Sequence, residues 1–256
     1  MASLRVTFLG TGTSTGVPVP TCVCPVCTSK DARDRRLRPS VRLQWDDASV
    51  LIDTSTDLRQ QALTHGIERI DAVLYTHAHA DHVLGLDELR LYNWRQKSAI
   101  PAFGSSRTLD AVRRTFWYVF DDEPGESTRP ALDLRPVEAP FDLLGRTVTP
   151  IPVDHGRLPI LGWRIGGFAY LTDVSRIPEE SYPLLADLDV LVLSALRTRP
   201  HPTHLSVDAA VAEARRVGAR RTLFTHMSHE VGHAETQPRL PRGIELAYDG
   251  LTVELE

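Results

Sequence analysis

Four potential metal ligands stand within the six residues His77-Ala78-His79-Ala80-Asp81-His82, directly after Ala72-Val73-Leu74-Tyr75-Thr76. His77 and His79 sit two apart at the end of an expected strand, so an extended backbone turns both imidazoles to one side. Asp81 and His82 then need one turn to face back. Imidazole and carboxylate donors suit Zn, Mn or Fe at hydrolytic sites, and six or more of them hold two ions rather than one. A fold that serves this stretch has to bring it further donors from distant parts of the chain.

With 256 residues and 42% hydrophobic content, the chain can bury a core, and a single domain over 1–256 is expected. A formal charge of −4 gives no global attraction for polyanions, which argues against a stable nucleic-acid partner and leaves small anions to local Arg clusters. The basic residues are nearly all arginine, with lysine at Lys30 and Lys97 alone. No window approaches 18 uninterrupted apolar residues, and Met1-Ala2-Ser3-Leu4-Arg5 does not open a leader, so a cytoplasmic protein without membrane contact is expected.

Cys22, Cys24 and Cys27 are an odd number of cysteines spaced too tightly for a disulfide framework, and thiolate ligation of a metal is the better reading. A short strand over 5–9 runs into Gly10-Thr11-Gly12-Thr13-Ser14-Thr15-Gly16, which looks like a phosphate-binding glycine loop. Val17-Pro18-Val19-Pro20 follows where a dinucleotide fingerprint would open a helix, so that reading is rejected.

Further strands are expected over 41–45, 49–52, 72–75 and 100–103, with helices over 56–65, 86–94 and, behind a Ser105 cap, 106–115. Residues 116–130, carrying the acidic run Asp121-Asp122-Glu123-Pro124-Gly125-Glu126, read as a loop or lid. The second half repeats the order. Strands fall over 132–137, 147–153, 162–165, 168–172, 190–193, 221–225, 244–246 and 252–254, and helices over 179–185 and 207–217. This alternation fits an α/β fold of two sheets packed face to face with helices outside.

Three more donors end apolar runs: His155 after 150–154, Asp173 after 169–172 and His226 after 222–225. Singly, each has an ordinary explanation: a turn cap, a strand-end carboxylate, a half-buried histidine. Their order behind H-x-H-x-D-H resembles the metallo-β-lactamase superfamily across essentially the whole chain. The resemblance implies a four-layer αββα sandwich with a dinuclear site at one edge of its sheets. It assigns His77, His79 and His155 to one ion and Asp81, His82 and His226 to the other, with Asp173 bridging and Asp53 orienting the histidine loop. Ala78 stands where redox di-iron members usually carry Glu, which favours hydrolysis.

Within the superfamily the chain resembles the phosphoribosyl 1,2-cyclic phosphate phosphodiesterase group. Leu9-Gly10-Thr11-Gly12 with Gly16-Val17-Pro18, the C-x-C-x-x-C run, Thr225-His226-Met227-Ser228-His229, and His204 before Leu205-Ser206 carry that likeness. It implies a separate structural zinc on Cys22, Cys24, Cys27 and His229, and a homodimer. Three soft thiolates and an imidazole would make a closed tetrahedral site tethering the N-terminal loop to the far end of the chain.

The expected activity is metal-dependent hydrolysis of a small phosphodiester, of the phosphoribosyl 1,2-cyclic phosphate or 2′,3′-cyclic nucleotide type, with two Zn or Mn ions. Asp81 and His204 are the expected catalytic groups, with His204 the proton donor and His201 its spare. The polar segment anticipated around Ala195-Leu196-Arg197 is missing, which leaves Arg197 and Arg199 either to grip a second phosphate or to be surface residues. His65 and His233 read as structural or exposed. Rival readings are ribonuclease Z-like cleavage of RNA, glyoxalase II-like thioester hydrolysis and a non-catalytic role in cofactor assembly. The first usually needs a basic Gly/Pro-rich arm that the sequence lacks, and the second lacks the cysteine cluster.

Overall fold

Consecutive rather than alternating apolar residues mark the inner strands of this chain, because both faces of those strands are covered. In Ala48–Ile52, for example, Val50 and Ile52 join a core between two sheets while Leu51 joins a core beneath helices. The computed structural model describes residues 3–121 and 128–256. Its strands are β1 Leu4–Gly10, β2 Ser40–Trp45, β3 Ala48–Ile52, β4 Ala72–Leu74, β5 Ile100–Gly104, β6 Leu132–Pro136, β7 Phe141–Leu143, β8 Arg146–His155, β9 Leu158–Ile165, β10 Phe168–Leu171, β11 Val190–Ser194, β12 Arg221–Thr225, β13 Ile244–Leu246 and β14 Thr252–Leu255. Its α-helices are α1 Leu58–Thr64, α2 Ala80–Val83, α3 Leu89–Gln96, α4 Ser106–Thr115, α5 Val207–Val217 and α6 His233–Thr236.

Two sheets result, ordered β14-β1-β2-β3-β4-β5-β6 and β13-β12-β11-β10-β9-β8-β7. Phe8, Leu43 and Val50 from the first meet Trp163, Tyr170 and Val192 from the second in the central core. Leu58, Leu89 and Leu109 of α1, α3 and α4 cover the first sheet, and Ala210 and Ala214 of α5 cover the second. These are the four layers of an αββα sandwich. No helix among the described residues is long and apolar enough to cross a membrane.

The two sheets share a pairing plan. From β1 to β6 the pairs run antiparallel, antiparallel and then parallel three times. From β8 to β13 the same sequence recurs. Parallel neighbours end at the same edge, so the loops leaving β3, β4, β10, β11 and β12 gather where the candidate donors lie.

Several elements differ from the sequence pattern: the short helices α2 and α6 are not expected from it, β9 starts at Leu158 instead of 162, and residues 84–88 form a 3-10 turn ahead of α3. Residues 179–185 form a 3-10 turn instead of an α-helix, since Pro183 within it has no N–H to donate. Strand β7 is unannounced: Leu144 and Gly145 take φ of 53° and 82° to close a two-residue hairpin, and leucine there gives no turn signal. In the expected lid, Trp117–Val119 forms a 3-10 turn, while 122–126 of the acidic run lie outside the described residues.

The glycine loop after β1 serves packing. A Cβ at Gly10 would overlap the Arg38 carbonyl oxygen, so the strand end and the 36–38 segment touch. Asp249 fastens both, accepting from Thr11 N at 2.9 Å, Thr11 Oγ1 at 2.8 Å and Leu37 N at 2.7 Å. Burial outweighs these donors and pushes the Asp249 pKa up to about 7. Asp249→Asn turns an amide N–H toward one of those donors and should cost about 1–3 kcal/mol in urea unfolding. A carboxyl with a raised folded pKa keeps a proton that the unfolded chain has already released, so its contribution falls as pH rises from the ordinary carboxyl range toward 7. The cost of the substitution should therefore be smaller at pH 8 than at pH 5.

Candidate metal centre

Asp53, one residue past β3, is wholly buried and takes φ of 62°. Its carboxylate accepts from Thr76 N and Thr76 Oγ1, each at 2.8 Å, and from His82 Nδ1 at 2.7 Å. Both ends of the histidine loop are thereby tied to one side chain. With Nδ1 donating to Asp53, His82 presents a bare Nε2 toward the site. Thr54 N reinforces the closure by donating to the His82 carbonyl at 2.8 Å.

The distant donors arrive at the same edge. His155 is the last residue of β8, and its Nδ1 donates to the Thr203 carbonyl at 2.7 Å, leaving Nε2 free. Asp173 and His226 follow β10 and β12 with φ of 58° and 57°, a left-handed turn that bends each side chain back over its strand end. Two clusters form: His77, His79 and His155 in one, and Asp81, His82, Asp173 and His226 in the other, the donor atoms within each lying within 4.8 Å of one another. Asp173 also groups with His155 and His204, which places it between the two.

The residues fit a pair of divalent cations. Tetrahedral donors roughly 2.0–2.3 Å from one ion are separated by about 3.3–3.8 Å. His82 Nε2 lies 3.4 Å from Asp81 Oδ2 and 3.2 Å from Asp173 Oδ2, and His226 Nε2 lies 3.4 Å and 3.1 Å from the same carboxylates. Although wholly buried, His82 Nε2 makes no hydrogen bond. A buried nitrogen aimed between carboxylates and bonded to neither is the lone pair a cation would take. The charge balance agrees: burial disfavours a charged His82, yet Asp173, Asp53 and Asp81 together raise its pKa well above the usual imidazole range. Burial likewise opposes ionisation of Asp81 and Asp173, but the neighbouring histidines hold both below the usual carboxylate range. His77 is held well below its usual value, first by burial and then by His82, so it offers a neutral ring.

His204 reaches the same centre, with Nε2 3.1 Å from Asp173 Oδ1 and its side chain 12% exposed. Its Nδ1 faces Thr203 Oγ1 at 2.9 Å and His201 Nδ1 at 3.2 Å. Arg199 is occupied by Glu230 at 2.8 Å, and Arg197 turns its guanidinium onto the Arg199 and Pro200 carbonyls. His233 is buried, its amide donating to Asp34, and His65 lies on the far side of the first sheet. The Thr203 carbonyl that orients His155 escapes sequence reasoning, because a backbone acceptor has no residue-type signal. Thr76 carried one, standing directly before the first histidine.

Cys22, Cys24 and Cys27 surround His229, their sulfurs 3.2, 3.6 and 3.4 Å from its Nδ1. These separations suit donors of one tetrahedral ion. Backbone N–H groups already point at two of the sulfurs, from Val19 to Cys27 at 3.3 Å and from Cys27 to Cys24 at 3.4 Å. The Cys27 amide lowers the Cys24 pKa to about 7, while burial pushes Cys27 up to about 11. This cluster lies close to the catalytic edge in the chain: Met227, between His226 and the Ser228-His229 pair, exchanges hydrogen bonds with Thr11 and Thr13 at 2.9 and 3.1 Å.

The sequence model of the beta-lactamase superfamily domain matches residues 48–227, which include Asp53 and all seven donors of the two histidine-carboxylate clusters and exclude the cysteines. The crystal structure of a new diphosphatase from the PhnP family is 44% identical, with a TM-score of 0.93 over 99% of this chain and 97% of that one. An octanoyltransferase of Porphyromonas gingivalis is 42% identical over 253 residues, 97% of this chain but 51% of that protein, so the chain spans about half its length. A ribonuclease Z of Mycobacterium bovis is 25% identical over 91% of this chain and 89% of its own length.

Metal analysis separates the two kinds of site. Wild type loaded with zinc and desalted should retain three ions per chain, Cys24→Ser two with a lower melting temperature, and Asp173→Asn fewer than three with the thiol-bound ion kept. Unchanged zinc in Cys24→Ser would refute the thiolate site.

Proposed function

Because this chain belongs to the beta-lactamase superfamily, we propose that it is a metal-dependent hydrolase of small phosphodiesters, cyclic ones of the phosphoribosyl 1,2-cyclic phosphate or 2′,3′-cyclic nucleotide type above all. The observation that carries the reading is the placement of Asp173 between the two donor clusters, with the bare His82 Nε2 beside it. His77, His79 and His155 would hold one divalent cation, and Asp81, His82 and His226 the other, with Asp173 shared. When bound, such a pair lowers the pKa of water toward about 7 and offsets the negative charge that builds on phosphoryl oxygens.

The protein's own groups supply the rest. Asp81, kept ionised by His82 and His226, accepts a hydrogen bond from the attacking water and orients it. His204 stands on the open side of Asp173 and delivers a proton to the leaving oxygen from Nε2, while Thr203 and His201 hold its other nitrogen. Asp53 keeps the histidine loop in register without touching substrate.

Phosphorus is favoured over a thioester by the 44% identical diphosphatase, and a small substrate over folded RNA by the net charge of −4. That same relative supports a second reading, hydrolysis of a diphosphate linkage, which presents the same non-bridging phosphoryl oxygens to the site. The octanoyltransferase is a protein about twice this length, and octanoyl transfer is no part of the reading.

Zinc- or manganese-loaded protein should turn over 2′,3′-cyclic nucleotides, phosphoribosyl cyclic phosphate or a diphosphate diester faster than a glutathione thioester. Preference for the thioester, or no turnover of any phosphorus substrate by protein with both ions bound, overturns the reading. His77→Ala should abolish hydrolysis. His204→Ala should cost about 10²-fold with an alkyl leaving group and much less with p-nitrophenolate, which departs without a proton. Equal losses with both leaving groups would remove His204 from the acid role.

A further inference from the structure

The outer face of the first sheet is covered by helices over β3 to β5 and left open over β14, β1 and β2. There it carries a polar cleft of about 450 Å³ lined by Arg5, Thr7, Arg42, Gln44, His65, Thr252 and Glu254. The strand register makes this an ordered array. Glu254, Arg5 and Gln44 are cross-strand neighbours in one row, and Thr252, Thr7 and Arg42 in the next. Leu4, Val6 and Phe8 point the other way into the central core, so Arg5 and Thr7 necessarily face the cleft.

Within the array the charges do not balance. Arg5 is paired, its Nη2 lying 2.7 Å from Glu254 Oε1. Arg42 is half-buried and has no ion pair among the described residues: its Nε donates to Ser49 Oγ at 2.9 Å, and no partner is found for its two terminal nitrogens. Asp71, the acid that acts on Arg42 electrostatically, spends its oxygens on Arg69 and on the Ser49 amide. Burial lowers the Arg42 pKa and outweighs the opposing effect of Tyr92 and Asp71, with the like charge of Arg5 adding to it. Other arginines sunk into the protein are treated differently, Arg36 facing Asp34 at 3.1 Å and Arg38 facing Asp57 at 3.0 Å. A partly desolvated guanidinium without a counter-ion is costly to keep.

We propose that this cleft is a binding site for a phosphate group, free or carried on a small sugar, with the Arg42 fork as its anchor. The two free nitrogens of Arg42 match two phosphate oxygens in a bidentate contact. Thr7 and Thr252, whose hydroxyls lie 3.2 Å apart, and the Gln44 amide supply further donors along the floor. His65, at the end of α1, closes one side; burial and Arg42 keep its pKa low, so it offers a neutral ring that can donate from one nitrogen. Glu254 limits the site to one compact anion and disfavours a long polyanion. Its side chains project from the outer face of β1, β2 and β14 and from the end of α1, and none of these elements carries a donor of the two histidine-carboxylate clusters, so it is separate from the hydrolytic reading.

Amide and arginine side-chain NMR of metal-loaded protein titrated with inorganic phosphate or ribose 5-phosphate tests the proposal. Saturable shifts are expected at Thr7, Arg42, Gln44 and Thr252, with a dissociation constant independent of any shifts at His155 and His204. Tighter binding of the sugar phosphate identifies the carried form, and equal binding the free ion. Arg42→Gln should weaken these shifts at least about tenfold with the remaining spectrum preserved, and Arg42→Lys should fall between, since it keeps the charge but loses the fork. Shifts confined to the metal centre, equal response to chloride, or unchanged affinity in Arg42→Gln would overturn the assignment.

Discussion

One imidazole joins the two halves of this protein. His82 donates from Nδ1 to Asp53, at the end of a strand of the first sheet, and turns Nε2 to Asp173, at the end of a strand of the second, at 2.7 and 3.2 Å. The two aspartates occupy matching places in the pairing plan: each lies just beyond the first strand of a parallel run, β3 or β10, and each takes a left-handed φ. The edge where the sheets meet is therefore fixed by polar contacts on top of a continuous apolar core. Ionised carboxylates on both sides of one ring are stable there only with compensating positive charge. His82 supplies it by protonation or a cation supplies it beside a neutral ring, and the bare Nε2 suits the second.

The matching aspartates are used differently, and the loops after the next strands explain why. The loop leaving β4 returns Thr76 and His82 onto Asp53 and saturates its oxygens with donors. The segment leaving β11 sends Ser194 to the Val174 amide at 2.9 Å and not to Asp173, which accepts one hydroxyl, from Thr172 at 2.6 Å, and otherwise turns its oxygens to His82, His204 and His226. A carboxylate saturated with donors orients; one with a single hydroxyl donor among imidazoles keeps lone pairs available to a cation. Matching places in the pairing plan thus hold one carboxylate that orients the histidine loop and one, equally buried, that faces the imidazoles.

Much of this was legible in the sequence because the donors end apolar runs, and an apolar run that stops at a polar residue marks a strand edge. His77 to His82, His155, Asp173 and His226 were all readable this way, as was the tight grouping of Cys22, Cys24 and Cys27. What escaped has a common physical character. Arg36, which is buried, and Asp249, which is half-buried, have partners that are largely backbone groups, so nothing in their neighbours' identities announces them. Strand β7 hides behind Leu144 in a conformation that favours glycine, and the 179–185 segment has helical spacing but a proline at the position that decides its pitch. Spacing reports which face a residue occupies, whereas backbone acceptors and left-handed turns decide what the face does.

The two candidate ion sites also divide along chemical lines. The thiolate cluster is built from a loop that has no sheet of its own, and its fourth donor, His229, comes from the segment that carries His226. Arg36 clamps that segment from below through the Ser228 and Val231 carbonyls at 3.2 and 2.7 Å. Coordination there would be closed, because the three cysteines and His229 supply all four donors of a tetrahedral ion and leave no open position. Imidazole and carboxylate at the sheet edge, with His204 and His79 still reaching solvent, keep room for a substrate oxygen. An ion in the thiolate site would accordingly act on the reaction through His226, by holding the strand-end turn that bends this ring toward Asp173.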